Sequence, residues 1–444
     1  PAERGLRTLE RFKERAREAA LIPITKPFLS EEEARAASSA VLSGWVTQGP
    51  KVKEFEDAFA RYVGAEHACA VSNCTAALHM ALLAVGVQPG DVVVTVSHSF
   101  IATANAVRHC CAEPIFIDID PSTYNMDPGA LERFLAEECE ARGNALYYRK
   151  TDSLAGEGSP FYHFFGPGGR GPGSAGRVAA VLAVHQMGMP CDMERIKGIA
   201  ERFNVRVIED AACAIGSEIS FDGGKSWEKI GRPHGGVACF SFHPRKVITT
   251  GEGGMITTRD PGLDAKFRLL RHHGMTVSDA ARHSADSVIF EEYAMTAFNY
   301  RMTDIQAAIG IEQLKKIDGI TDERRRLAEE YNKALGQLDG FVIPVDREYT
   351  RTNRQSYPLM IEGCSGVEQV SFMQKLLDNG IMTRRGIMNA HQEPPYSDIG
   401  WRLEASERAR DAVVLLPLYN GLRKDEQDHV IKTVKEWGRK RGRQ

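Results

Sequence analysis

The chain reads as an α/β protein built on a mainly parallel sheet flanked by helices, with a smaller α+β unit at its C-terminal end. Two patterns predict this. Between about residues 65 and 260, short β-branched runs alternate with helix-period segments, and such alternation implies crossover connections between parallel, buried strands. After Gly340 the alternation gives way to isolated short strands and amphipathic helices. A length of 444 residues allows two or three domains at roughly 150 residues each. One long α/β unit takes most of that length and leaves room for a single small companion.

The expected elements follow in order. Residues 1–21 form an N-terminal helical extension with Leu6, Leu9 and Phe12 on one side; they mix both charge signs and lack the apolar stretch of a secretory signal. Residues 22–320 form the large domain. Its strands are expected at His67–Ser72, Asp91–Val96, Pro114–Asp118, Val178–His185, Val205–Asp210 and Val237–Phe242, and its helices at Ala76–Val85, Ala102–Cys110, Pro128–Arg142 and Met193–Phe203. Residues 143–177, rich in Gly, Pro and aromatics, interrupt the pattern and are expected to be a mobile surface loop. Within them GPGGRG, Gly166 to Gly171, matches the dinucleotide fingerprint but lacks the strand before it and the helix after it, so it is set aside. Met302–Ile317 runs into a long charged helix that bridges to a small domain at 321–444, with a strand at Tyr357–Ile361 and helices around 366–379 and 424–437.

Composition excludes several function classes. With 56 Lys+Arg against 59 Asp+Glu, the chain lacks the basic surplus that a nucleic-acid partner demands. No apolar run approaches the ~20 residues of a membrane span. The nine cysteines are odd in number and contain no C-x-x-C pair, which fits reduced thiols in the cytoplasm rather than a disulfide framework or a metal site.

In a parallel sheet the ligand binds at the carboxyl ends of the strands. VRVIEDAACA puts Asp210 at one such end, where a buried carboxylate needs a cation. VACFSFHPRK puts Lys246 just past a second one, where an apolar enclosure would depress its pKa and make it a nucleophile. Either residue alone is commonplace, an Asp capping a helix or a solvated Lys. Together they are the pair pyridoxal 5′-phosphate requires, a Schiff-base lysine and a partner for the pyridine nitrogen. VSNCTAAL supplies a helix start for the phosphate, with Asn73, Cys74 and Thr75, although Asn73 or Thr75 could simply cap that helix. Ser241 adds a hydroxyl at the same edge, and Phe100 ends a strand where it could lie against a ring.

These segments resemble the DegT/StrS family of pyridoxal-phosphate-dependent sugar aminotransferases. The matching pieces are SGWVTQGPKVKEFE, SNCTAALHMAL, HSFIATANAV, PIFIDIDPSTYNMDP, VIEDAACAIGS, SFHPRKVITTGEGGM, RHHGM, FNYRMTDIQAAIG and LLPLYNGLRKDEQDHVI, in family order over nearly all of residues 22–440. The resemblance implies a fold-type-I transferase with a seven-stranded sheet, acting as a homodimer with shared active sites. By position, Lys246 would carry the cofactor, Asp210 would bond its pyridine nitrogen, and Phe100 would stack on its ring. Asn73, Cys74, Thr75 and Ser241 would hold the phosphate, Cys213 would meet the phenolic oxygen, and Asn299 would come from the partner subunit. Trp45, Thr47 and Gln48 would border the substrate, as would His185, Arg384 and His391.

Four features depart from the family pattern: Cys213 stands where Gln or His is usual, Cys74 where Gly is usual, Val247 follows the lysine in place of Asn, and 143–177 has no counterpart. A thiol is the weaker hydrogen-bond donor. The expected reaction is a ping-pong transamination, from glutamate or glutamine to a keto-sugar or related ketone. A non-sugar ketone such as a cyclitol or antibiotic precursor is the first alternative. A sugar dehydratase is the second, and Lys246 counts against it because such members carry His there.

Overall fold

The computed structural model describes residues 21–156, 158–162, 175–277, 286 and 288–441. The expected N-terminal helix and the GPGGRG motif lie outside the described residues. Helices α1 (Glu31–Leu42) and α2 (Pro50–Val63) lead into β1 (His67–Val71), α3 (Cys74–Ala84), β2 (Val92–Val96), α4 (Ala102–His109) and β3 (Glu113–Ile117). Then come α5 (Pro128–Arg133), β4 (Cys139–Arg142), β5 (Ala145–Tyr148), β6 (Val178–Val184), α6 (Met193–Arg202) and β7 (Arg206–Asp210). Two short strands, β8 (Glu218–Ile219) and β9 (Glu228–Lys229), precede β10 (Gly236–Ser241), β11 (Gly254–Thr258), α7 (Pro261–Arg271), α8 (Asp304–Lys315) and α9 (Ile317–Leu335). The C-terminal part holds β12 (Phe341–Val342), β13 (Thr350–Arg351), β14 (Tyr357–Ile361), α10 (Gly366–Asp378), β15 (Arg384–Arg385), α11 (Glu404–Ala412), β16 (Val413–Leu416) and α12 (Lys424–Arg441).

The main sheet has seven strands in the order β1-β11-β10-β7-β6-β2-β3. All its pairings are parallel except those of β11, which runs antiparallel to both neighbours. VVVTV in β2 and VAAVLAV in β6 are apolar at nearly every position because helices cover both faces of the sheet. On one face Phe55 and Phe59, one helical turn apart on α2, meet Phe240 and Phe242 with ring centroids 5.0 to 5.7 Å apart. The strand β11 was not expected, since glycines at its start disguise it as part of the turn after Lys246.

A second sheet, β12-β14-β16-β15, carries its own core of Tyr331, Tyr357, Leu359, Phe372, Val414 and Val434. The two units interlock more than a boundary at residue 320 suggests. Ile22 forms a parallel bridge to Ile381, so the chain enters through the smaller unit. Further on, β13 pairs with β8, and the segment before α11 packs onto the main sheet through a His98–Asn389 bridge.

Two expectations are corrected here. The helix expected at Pro128–Arg142 is helical only through Arg133; a π turn at Phe134–Glu138 ends it, and Cys139–Arg142 pairs with Ala145–Tyr148 as a hairpin. Gly143 at φ +61° and Asn144 form the two-residue turn, a hairpin signal that helix periodicity had masked. The described parts of 143–177 are likewise no free surface loop. Leu154 and Phe161 are fully buried, and Ser159 donates to the buried carboxylate of Glu113 at 2.9 Å. Among the described residues no helix is long and apolar enough to cross a membrane.

Gly310 on α8 faces the Phe55 ring, and a Cβ there would sit 2.6 to 3.0 Å from three ring carbons. Gly310→Ala raises helix propensity by about 1 kcal/mol, yet overpacking costs typically 1–3 kcal/mol. The substitution is therefore expected to lower the urea midpoint of unfolding. A raised midpoint would show that the aromatic cluster yields without cost.

Candidate active site

The strand register assembles the site at one edge of the sheet. Val71, Gly254 and Ser241 are level across β1, β11 and β10, while Asp210 is level with Cys239 on one side and Val184 on the other. The turn after β1, the residues after β10 and the end of β7 therefore open onto the same rim. Gly254 makes the first of these possible. A Cβ on it would lie 2.6 to 2.9 Å from the backbone of Asn73 and Cys74, so only glycine lets β11 run directly beneath that turn.

At the turn, Asn73 is extended (φ −169°) and its Oδ1 accepts the Ala76 N–H at 2.9 Å, capping α3. The capping alternative is thus realised for Asn73, and it coexists with an anion site: the amides of Cys74 and Thr75 open the helix with no intrahelical acceptor. Cys74 is the first helical residue and has no positive φ. The side chain in place of the family's glycine is accommodated without backbone strain.

Asp210 is 4% exposed; Oδ2 accepts from Thr103 Oγ1 at 2.8 Å and Oδ1 from the Ala212 N–H at 3.2 Å. Burial pushes its carboxyl up, against the pull of these donors and of Lys246 and His185. Among the described residues it forms no ion pair. A buried carboxylate with two neutral donors and no ion pair is short of positive charge.

Lys246 sits in the turn after β10, its N–H donating to the His243 carbonyl at 2.8 Å while Val247 and Ile248 are buried beside it. Its Nζ donates to Cys213 Sγ at 3.1 Å. The depressed pKa expected from an apolar enclosure is not what the structure gives. Burial does press the ammonium down, but Cys213, Cys74 and Asp210 outweigh it and the net direction is upward. Thiols and a carboxylate, beside the hydrocarbon of Val247 and Ile248, decide the direction.

Phe100, just before α4, leaves its ring 59% exposed at the same rim. Ser241 is buried, and its Oγ takes only a long 3.4 Å contact from the His243 N–H. Asn299 is exposed and accepts from Arg301 Nε at 3.0 Å; its segment runs beside β1, where the Ser72 N–H donates to the Tyr300 carbonyl at 2.7 Å.

The residues expected to border the substrate divide. The Thr47 carbonyl accepts from the Asp304 N–H at 2.7 Å, and Asp304 Oδ1 in turn accepts from the amides of Gly49 and Val52 at 2.7 and 3.0 Å. Trp45 is half-buried beside Gly49, and Gln48 Oε1 is buried with no hydrogen-bond partner among the described residues. Arg384 is exposed, its guanidinium lowered by partial burial and by Arg245. His185 is corrected: it is fully buried, its Nδ1 accepts the Cys191 N–H at 2.9 Å, and its Nε2 lies 3.1 Å from Glu209. With both nitrogens engaged below the rim, it has nothing to offer a substrate. His391 is also buried, 2.6 Å from Ser97 Oγ and 3.3 Å from Glu407, and it anchors its segment rather than lining an opening.

Sequence reasoning missed Thr103, Asp304 and Asn353. Asn353 is fully buried, and its Nδ2 donates to the carbonyls of both Cys213 and Ile215 at 2.8 Å, fixing the loop that aims Cys213 at Lys246. Only Thr103 carried a local signal, a hydroxyl one helical turn past Phe100.

Residues 27–141 and 175–435 match the DegT/DnrJ/EryC1/StrS aminotransferase family, and the unmatched stretch between them nearly coincides with the 143–177 interruption. GDP-perosamine synthase of Caulobacter vibrioides is 34% identical over 92% of this chain and 96% of its own. The spore coat polysaccharide biosynthesis protein SpsC of Bacillus subtilis is 32% identical over 94% and 96%. The aminotransferase TlmJ of Streptoalloteichus hindustanus superposes with a TM-score of 0.76 at 28% identity, covering 94% of this chain and 98% of TlmJ. A buried carboxylate short of a cation, a lysine on the next strand end and a capped helix start thus occur in a chain that belongs to the DegT/DnrJ/EryC1/StrS family of pyridoxal-phosphate-dependent aminotransferases.

Proposed function

We propose that the chain moves an amino group from glutamate or glutamine to a keto-sugar in a ping-pong cycle, with Lys246 as the acid–base residue. The observation that carries this reading is the placing of Lys246 and Asp210 on neighbouring strand ends, around a rim that also bears an exposed Phe ring and a helix start. Pyridoxal phosphate, when bound, supplies the carbonyl that takes up the amine and a ring that withdraws electrons from it. Asp210 holds the pyridine nitrogen, and Phe100 covers one face of the ring. Asn73, Cys74, Thr75 and Ser241 receive the phosphate. The Lys246 amine, once released, moves the proton between the substrate α-carbon and the cofactor. Cys213, which holds Nζ in this structure, offers its thiol to the phenolic oxygen.

A sugar acceptor is supported by relatives named for perosamine and coat-polysaccharide synthesis. The dehydratase alternative lacks support, since Lys246 is in place. We further propose a homodimer in the cytoplasm, with Asn299 of the partner subunit completing each site. Phe28, Leu29, Val41, Leu42, Val46 and Phe100 are all exposed, more apolar surface than isolated residues require. The nine cysteines are free thiols.

Two outcomes test this reading. Lys246→Ala is expected to abolish both half-reactions, followed by the loss and return of the cofactor's visible absorption with amino donor and keto acceptor; turnover at the normal rate in both directions overturns the assignment. Asp210→Asn should act oppositely on stability and on binding. A carboxyl raised by burial contributes stability below its unfolded pKa and loses it as pH rises through its folded one. Without cofactor, the Asn variant is therefore expected to melt higher than the parent at about pH 7, with the gap closing toward about pH 4. It should gain far less from added pyridoxal phosphate than the parent does.

A further inference from the structure

The mechanism uses Asp210 but leaves unexplained what keeps its carboxylate ionised in so buried a place. Thr103 Oγ1 lies 2.8 Å from Asp210 Oδ2, and Ser99 Oγ lies 2.8 Å from Thr103 Oγ1. Asp210, Ser99 and Thr103 are buried, at 4%, 4% and 2% exposure. A threonine hydroxyl has one hydrogen, and an ionised carboxylate only accepts. Thr103 must then donate to Asp210, which leaves Ser99 as the donor to Thr103. The chain is polarised in one direction, Ser99 to Thr103 to Asp210, and each bond strengthens the next. A protonated carboxyl would accept from Thr103 more weakly than the carboxylate does, so the chain of donors favours the ionised form.

We propose that Ser99 and Thr103 form a relay that positions the charge at Asp210, holding the proton on the pyridine nitrogen rather than on the carboxylate. This rests on the cofactor reading above and assigns two positioning residues to it. The relay comes from the same short segment as Phe100. The Thr103 N–H donates to the Phe100 carbonyl at 3.1 Å, so the ring that covers the cofactor and the hydroxyl that sets its charge move as one piece.

Apart from the Ala212 amide, the other groups around Asp210 make no hydrogen bond to it, although Lys246 and His185 pull its carboxyl down electrostatically. Lys246, from the turn after β10, is bonded to Cys213. His185, at the end of β6, is engaged by Cys191 and Glu209. Cys74, Cys191 and Cys239 are buried thiols whose pKa is raised well above the ordinary value, chiefly by desolvation, and a thiol brings Asp210 no positive charge. Glu209, next along β7, has its own partners.

The test uses Thr103→Val, which keeps the shape and removes the hydroxyl, Thr103→Ser, which keeps the hydroxyl, and Ser99→Ala. A hydrogen bond to a charged group corresponds to roughly 10- to 100-fold in an equilibrium. In the cofactor-free chain, the pH at which Asp210 destabilises the fold is expected to rise by about one to two units in Thr103→Val. It should rise less in Ser99→Ala and stay in place in Thr103→Ser, while Asp210→Asn abolishes the step. In the holoenzyme, the nitrogen-15 resonance of ring-labelled pyridoxal phosphate should move toward the unprotonated position in Thr103→Val and return in Thr103→Ser. In Thr103→Val kcat should fall roughly 10- to 100-fold with little change in the donor KM. An unmoved pH step overturns the relay. A moved step with no binding of pyridoxal phosphate by the parent chain overturns the cofactor reading and the proton-holding role, and leaves the carboxylate relay standing.

Discussion

Strand β7 ends in two adjacent carboxylates that point to opposite faces of the sheet, and the site is organised around the difference between them. Glu209 is fully buried but provided for: Oε1 accepts the Gly235 N–H at 2.6 Å, and Oε2 lies 3.1 Å from His185 and 3.7 Å from His234. Burial would raise its carboxyl, yet the two imidazoles more than compensate and bring it down to about 2. Asp210 receives a hydroxyl and one amide, and burial prevails. The same strand thus carries one anion provided with hydrogen-bonding partners within the fold and another that the fold leaves short of charge. The second is relieved either by taking up a proton or by an arriving cation, so a cationic ligand there would add to stability as it binds.

Because Asp210 is fixed by the sheet, everything that meets the cofactor must be delivered to its level. The antiparallel strand β11 does this for the phosphate turn, bringing Gly254 against Asn73 and Cys74 and setting Ser241 beside them. Cys213 is delivered differently. Asn353, from the C-terminal part of the chain, holds its carbonyl, and Ser217 links the Asn353 N–H to the Gly188 carbonyl. The thiol–amine contact therefore depends on a residue 140 positions away in sequence.

What the sequence made legible follows from the range of each interaction. Strand ends are local, so Asp210 and Lys246 stood out from apolar runs followed by polar residues, and parallel topology told where to look. Asp304 capping the turn at Gly49 across 255 residues leaves no local trace, and neither does Asn353. The environment of Lys246 was misjudged for the same reason: an apolar strand precedes it, but its actual neighbours, Cys213 and Cys74, come from other loops. Where two local signals competed, as in 128–148, helix periodicity hid a Gly-Asn hairpin. His185 looked like a site residue because strand ends are where ligands bind, yet the backbone turns at Met187 (φ 52°) and encloses it.

The segments at the mouth of the site share one construction, a buried polar anchor beneath an exposed tip. Asp304 ties down the loop that carries Trp45, Thr47 and Gln48. Ser97 and His391 tie down the segment before α11, helped by Asp118, which accepts from the Ala405 and Ser406 amides at 2.9 Å. Their anchors lie on α8 and at the ends of β2 and β3, apart from the β7–β10 edge that carries Asp210 and Lys246. A change at a tip is thereby separated from the charge on Asp210 and the reach of Lys246. That separation gives a physical route by which one catalytic edge can serve different keto-acceptors, because rigidity resides in the anchors and choice in the tips.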